Sequence, residues 1–172
     1  MKKFIIIIFI FFSQINFGIA NNSIVFVDMD KIMTTSKPGV SILNQLKKMN
    51  DQISKNFNND GKILKEKETK LIAQKNILSE EEFQSKVSQL KIEIDKFNKD
   101  RKNSINDFNK LKITNRTKFL KMVNSILIKY SDEKSISMIF PKKSMIIGKS
   151  ELDITDEIIK VINSEIKEFK IK

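Results

Sequence analysis

The chain contains no cysteine and no histidine. Without cysteine it can form neither disulfides nor metal-binding thiolates, so an oxidising compartment is compatible with it but not demanded. Without histidine, the Ser-His and Cys-His nucleophilic pairs and the usual zinc sites are excluded. Carboxylate, lysine or hydroxyl chemistry remains, but no paired-carboxylate motif or glycine-rich phosphate loop stands out. The expectation is a protein that is not an enzyme and has no cofactor and no metal. Proline and glycine are scarce, two and four residues respectively, and none falls between residues 62 and 140. That stretch has nothing to break a helix.

Long apolar runs are also lacking, with one exception at the start. Met1-Lys2-Lys3 is followed by the unbroken run Phe4 to Phe12, and Gly18-Ile19-Ala20 places small residues where a signal peptidase acts. Residues 1–20 therefore read as a secretory signal peptide cleaved after Ala20. The alternative is an uncleaved anchor on a membrane-tethered coiled-coil stalk or structural protein. An anchor needs about 20 apolar residues in a row, and Ser13, Gln14 and Asn16 interrupt this one early.

Charge is distributed unevenly. Residues 40–78 carry +4 and residues 79–130 carry +5, whereas residues 21–39 and 131–172 are each neutral. A single surface lysine needs no partner. A whole segment of one sign projects a positive field that attracts anionic partners. A nucleic-acid binder would exploit the same field, but the export signal sends the chain away from nucleic acid, and the aromatics fall on the apolar stripe, not between lysines.

The periodicity of residues 40–130 is helical. Leu43, Phe57, Leu64, Leu71 and Leu78 form one heptad line, interrupted at Asn50, while the companion line starts apolar at Leu46 and Ile53 and turns polar at Asp60, Lys67 and Gln74. One seam persists and the other fades, the pattern of a narrow two-helix contact. Asn58-Asn59-Asp60-Gly61 is strong turn chemistry inside this pattern. Because Phe57 and Leu64 stay seven apart across it, a continuous helix with a flexion point is predicted. Leu78 to Glu82 reads as the hairpin tip near residues 78–80, with Ser79 as N-cap and Glu82 completing a capping box. Beyond it Phe83, Val87, Leu90, Ile94, Phe97, Ile105, Phe108, Leu111, Phe119, Met122, Val123 and Ile126 keep a three-or-four spacing, so the phenylalanines read as seam packing. The arms would be on the order of 60 to 70 Å long.

The flanks, residues 21–39 and 131–172, read as a small α/β body. Ile24, Val25, Phe26 and Val27 form a strand ending at Asp28, then about one helical turn to Met33 and a turn at Lys37-Pro38-Gly39. Ile136 to Phe140 (with Met138) and Met145 to Ile147 (with Ile146) are strand candidates. Asp153-Ile154-Thr155 leads into a last helix from Asp156 with Thr155 as its N-cap. Three strands and one helix bury too little core alone, so assembly is the expected remedy.

In this order of elements the chain resembles the Skp (OmpH-like) family of periplasmic chaperones. The resemblance is carried by the signal peptide, the strand and aspartate of Ile24 to Asp28 followed by Met29-Asp30-Lys31-Ile32, the Lys-rich helical hairpin, the terminal strands and the Asp153-Ile154-Thr155 step. It spans roughly residues 22 to 163. It implies a mainly α fold with a small β body, a homotrimer whose strands combine into a core, and helical arms projecting around a cavity. The implied function is an ATP-independent holdase in the periplasm that binds unfolded outer-membrane proteins, with anionic lipid or lipopolysaccharide as a further partner of the tip. On that resemblance Ile24, Val25, Phe26, Val27, Ile136, Met138, Phe140 and Ile146 belong to the oligomer body. Lys62, Lys65, Lys75, Lys86 and Lys91, on the distal half of the hairpin, are the candidate client or headgroup contacts. The chain departs from the family pattern in its richness in Asn, Ile and Lys, in the Asn58 to Gly61 interruption, and in a short Lys-rich tail beyond Asn163.

Overall fold

The computed structural model describes residues 23–171. The expected signal peptide and its cleavage point lie outside the described residues. Strand β1 (Ser23–Val27) is followed by α1 (Met29–Thr35), α2 (Lys37–Ala73), α3 (Glu80–Lys134), β2 (Ile136–Pro141), two 3-10 turns and α4 (Thr155–Glu165). The protein is mainly helical with a small strand part. At ~1.5 Å per residue, the 37 residues of α2 span about 55 Å and the 55 residues of α3 about 80 Å. The second helix is the longer because its last turns belong to the core at the base.

α2 and α3 run antiparallel. Phe57 meets Phe97 edge to face at a centroid distance of 5.7 Å, and farther out Lys67 pairs with Glu93 at 2.6 Å. α2 passes unbroken through Asn58 to Gly61, and a Cβ on Gly61 would only reach ordinary contact with the Phe97 ring, 3.7 Å away. The heptad line is misplaced at its start: Ile42 is 1% exposed and Leu43 41%. The base of α2 must face α3 and α4 together, which rotates the buried stripe by one residue. Toward the tip only a half-buried seam remains, with Phe57, Leu64, Phe83, Leu90, Ile94 and Phe97 shielded in part and Leu71 buried.

The core sits at the base, where Val27, Ile32, Ile42, Leu46, Phe119, Val123, Ile126, Ile158 and Ile162 pack together. β1 and β2 pair in parallel, Ile24 opposite Met138 and Phe26 opposite Phe140. The long helix pair is the crossover that a parallel pairing requires. Ser135 ends α3 in the left-handed region, φ 52°, and turns the chain directly into β2.

Three expectations for the flanks need correction. Lys37-Pro38-Gly39 is the first turn of α2, not a connecting turn: Ser36 is the N-cap, its hydroxyl accepting from Gly39 N–H at 3.2 Å. Proline suits that position because its fixed φ is helical and its missing N–H would have had no partner. Met145 to Ile147 is not a strand, and two strands, not three, exist among the described residues. The edge of β1 that a third strand would use is taken by Asp153, which bridges to Phe26, and by Ile154 N–H donating to the Phe26 carbonyl at 3.0 Å. Finally, Thr155 is the first residue of α4 and not its N-cap, which is Ile154 with no side-chain hydrogen bond. The Thr155 hydroxyl is committed elsewhere, accepting the Asp28 N–H at 2.8 Å and donating to Asp153.

Candidate functional site

The tip of the helix pair is built by local sequence. α2 ends at Ala73 and α3 begins at Glu80, with Ser79 as N-cap. The Ser79 hydroxyl accepts from Glu82 N–H at 3.3 Å, and Ser79 N–H donates to the Glu82 carboxylate at 3.2 Å. The reciprocal pair satisfies two donors that a helix start otherwise leaves open. Hydrogen bonds from the Ser79 hydroxyl and then its N–H hold the Glu82 carboxyl below its ordinary range. Three acids in the first turn, Glu80, Glu81 and Glu82, also face the positive end of the helix dipole.

Behind this tip the helix pair presents two unlike faces on either side of its Leu71 and Leu90 seam. One is a cleft of about 310 Å³ lined by Lys67, Lys70, Gln74, Lys86, Gln89 and Glu93 with the two leucines. The other, about 290 Å³, is apolar: Ile72, Phe83, Val87 and Ile94 line it with the same leucines, and Glu68 and Lys91 stand at its edge. Ile72 and Ile77 are largely exposed. One face therefore offers ammonium groups and the other uncovered hydrocarbon, with Leu71 and Leu90 shared between them.

The five lysines singled out from sequence are not one cluster. Lys86 lines the basic cleft and Lys91 edges the apolar one. Lys65 is paired with Glu68 at 2.8 Å on α2, Lys62 is exposed farther down that helix, and Lys75 lies in the turn between the helices. Sequence reasoning missed Lys67 and Lys70, which share the cleft with Lys86. The signal for them was available: Lys67 falls on the companion heptad line where it turns polar, and that line faces α3.

At the base, the strand residues divide by face. Val25, Phe26 and Val27 are buried within the chain, while Ile24, Met138 and Phe140 are exposed. Ile24 and Met138 are opposite each other in the register, and Phe140 follows on the same face. Phe26 would join them, but Gly148 approaches its ring so closely that a Cβ there would lie 3.0 Å from it, and the Lys142 ammonium stands 5.9 Å above it. Ile136 is half-buried and Ile146 lies fully exposed on the irregular segment after β2.

Among the described residues there is no cluster of acidic side chains able to hold a metal, and no helix is long and apolar enough to cross a membrane.

The sequence profile of the outer membrane protein (OmpH-like) family matches residues 23–162. A crystal structure from Caulobacter crescentus, described as that of an OmpH-like outer membrane chaperone, shares the fold with a TM-score of 0.81 at 12% identity. The match covers 86% of this chain and 88% of that one. No curated protein matches the chain.

Proposed function

The chain belongs to the OmpH-like outer membrane protein family, and from that footing we propose that it is a periplasmic holdase chaperone that keeps unfolded outer-membrane proteins from aggregating without ATP. The observation that carries this reading is the pairing of a lysine-lined cleft and an apolar cleft on opposite sides of one seam near the tip. An unfolded membrane-protein chain offers both apolar stretches and carboxylates. Lysine stems can lie along the former while their heads meet the latter. Each exposed ion pair contributes only about 0 to 1 kcal/mol, so affinity has to come from many contacts made at once. Several arms around one client would supply that multiplicity.

The same reading makes residues 40–130 the client-handling arm and residues 21–39 with 131–172 the oligomer body of a homotrimer. The exposed sheet face of Ile24, Met138 and Phe140 supports it, because a two-stranded sheet with one open apolar face is marginal alone and gains by joining others. Anionic lipid or lipopolysaccharide at the lysine-lined cleft behind the tip is a further partner of this reading, and nucleic acid is not one.

Light scattering on the purified protein, alone and after adding an unfolded outer-membrane barrel protein diluted from denaturant, tests the proposal. A trimer that holds the client in a soluble, defined complex is the expected result. A monomer or dimer that leaves the client to aggregate overturns it.

A further inference from the structure

The last residues of the chain lie beyond the family profile, which ends at residue 162, and they are held in a manner that neither helix nor sheet explains. α4 stops at Glu165, and Ile166 adopts φ −106°, ψ 90°, after which the backbone runs without regular structure across the base of α2 and α3. Ile166 and Phe169 are only 6% and 5% exposed. Phe169 stands edge-on to the core ring of Phe119 at a centroid distance of 6.3 Å.

The backbone of this segment is engaged at two points by the Gln45 side chain. Gln45 Nε2 donates to the Phe169 carbonyl at 2.8 Å, and Gln45 Oε1 accepts the Ile171 N–H at 3.3 Å. A carbonyl and the N–H two residues later form the pair that a neighbouring parallel strand would engage, and here a side-chain amide takes the strand's place. Gln45 is held for the task by Ser41, whose hydroxyl and carbonyl accept from Nε2 at 3.1 and 3.2 Å. Ser41 Oγ also reaches the Phe169 carbonyl at 3.4 Å.

We infer that the base of the helix pair is a binding site for an extended peptide with an apolar residue and an aromatic residue three positions later, and that residues 166–171 occupy it as the chain's own detachable ligand. An apolar recess fixes the side chains and an oriented amide fixes the main chain, so recognition does not depend on covalent continuity with α4. A segment outside any helix or sheet opens more readily than the core. While seated, it ties α2 through Gln45 and α3 through Phe119 to α4. Its release removes that tie and leaves the recess open.

The test uses the full chain with Phe169→Ala, which empties the recess, and a fluorescent synthetic peptide of residues 164–172. The peptide is expected to bind the variant saturably and at least tenfold more tightly than the unaltered chain, and to lose that advantage when its own phenylalanine is alanine or when Gln45→Ala is added. Equal binding to both chains, or none to the variant, overturns the inference. Should the variant lose its fold by circular dichroism, hydrogen exchange on the unaltered chain decides. The Ile171 amide is expected to exchange at least a hundredfold faster than the Ile166 amide, which closes the last turn of α4 onto Ile162. Exchange of the two together overturns it.

Discussion

The backbone N–H of Asp28 donates to the Thr155 hydroxyl across 2.8 Å, joining the end of the first strand to the start of the last helix. The same hydroxyl donates to the Asp153 carboxylate, which also accepts the Thr155 N–H at 3.0 Å. One buried oxygen thus satisfies a strand-end donor and orients a carboxylate. Thr155→Val keeps the shape and deletes the hydroxyl, leaving the Asp28 N–H without its partner. A loss of about 1–3 kcal/mol is expected, measured by chemical denaturation, with Thr155→Ser retaining most of the stability.

Asp153 makes this junction sensitive to acid. Its partial burial opposes the charge, but hydrogen bonds from the Thr155 hydroxyl, the Thr155 N–H and Lys142 outweigh it, so its carboxyl is held below the ordinary aspartate range. A carboxyl lowered in the folded state contributes stability that is fully present above its unfolded value and is lost as pH falls through the folded one. Thermal melts taken at falling pH should therefore show Tm dropping below the ordinary aspartate range. Asp153→Asn should start less stable near neutrality and show a shallower drop.

How much of this was readable in the chain depends on how local its cause is. The helix pair and its tip are legible because heptad spacing and a Ser-x-x-Glu box act within a few residues, and Ser79 and Glu82 hydrogen-bond each other in the structure. Thr155 was misassigned because an N-cap is also a local rule, whereas its hydroxyl is claimed by Asp28 from the far end of the chain. Met145 to Ile147 has strand composition, yet Asp153 already bridges to Phe26 beside β1. The tail offered no periodic signal at all. Phe169 meets Phe119 and Gln45, partners that no spacing rule could have proposed. Of the five candidate lysines, Lys86 and Lys91 are at the two clefts, and Lys67 and Lys70 emerge only when α2 and α3 are set side by side.

Two glycines of the same helix should respond oppositely to alanine. A Cβ on Gly39 would collide with the Met33 carbonyl and crowd the Ser36 hydroxyl at 2.9 Å, whereas one on Gly61 meets only open space and the Phe97 ring at 3.7 Å. Both have negative φ. Gly61→Ala should stabilise by about 0.5–1 kcal/mol, the helix-interior difference between the two residues. Gly39→Ala should destabilise, since backbone must move to admit the methyl group. Denaturant midpoints of the two variants against the parent decide, and stabilisation by Gly39→Ala would refute the close-approach account.

If the proposed holdase reading holds, the lysines of the distal cleft set the salt dependence of client binding. Lys70 and Lys86 line the cleft and Lys75 sits in the adjoining turn; Lys67 is left intact because it already holds Glu93. None of the three supports the base core, so the combined change of Lys70, Lys75 and Lys86 to glutamine should leave Tm within a degree or two. At low ionic strength, three lost contacts of up to about 1 kcal/mol each should weaken affinity for an unfolded outer-membrane protein about tenfold or more. Added salt screens exposed charges over a Debye length of about 8 Å at physiological strength, so the parent's affinity should fall with salt while the variant's falls less, and the two curves should converge. Parallel curves would place the electrostatic capture elsewhere on the arm, and unchanged affinity at low salt would leave the apolar face of Ile72, Phe83 and Val87 as the part that binds.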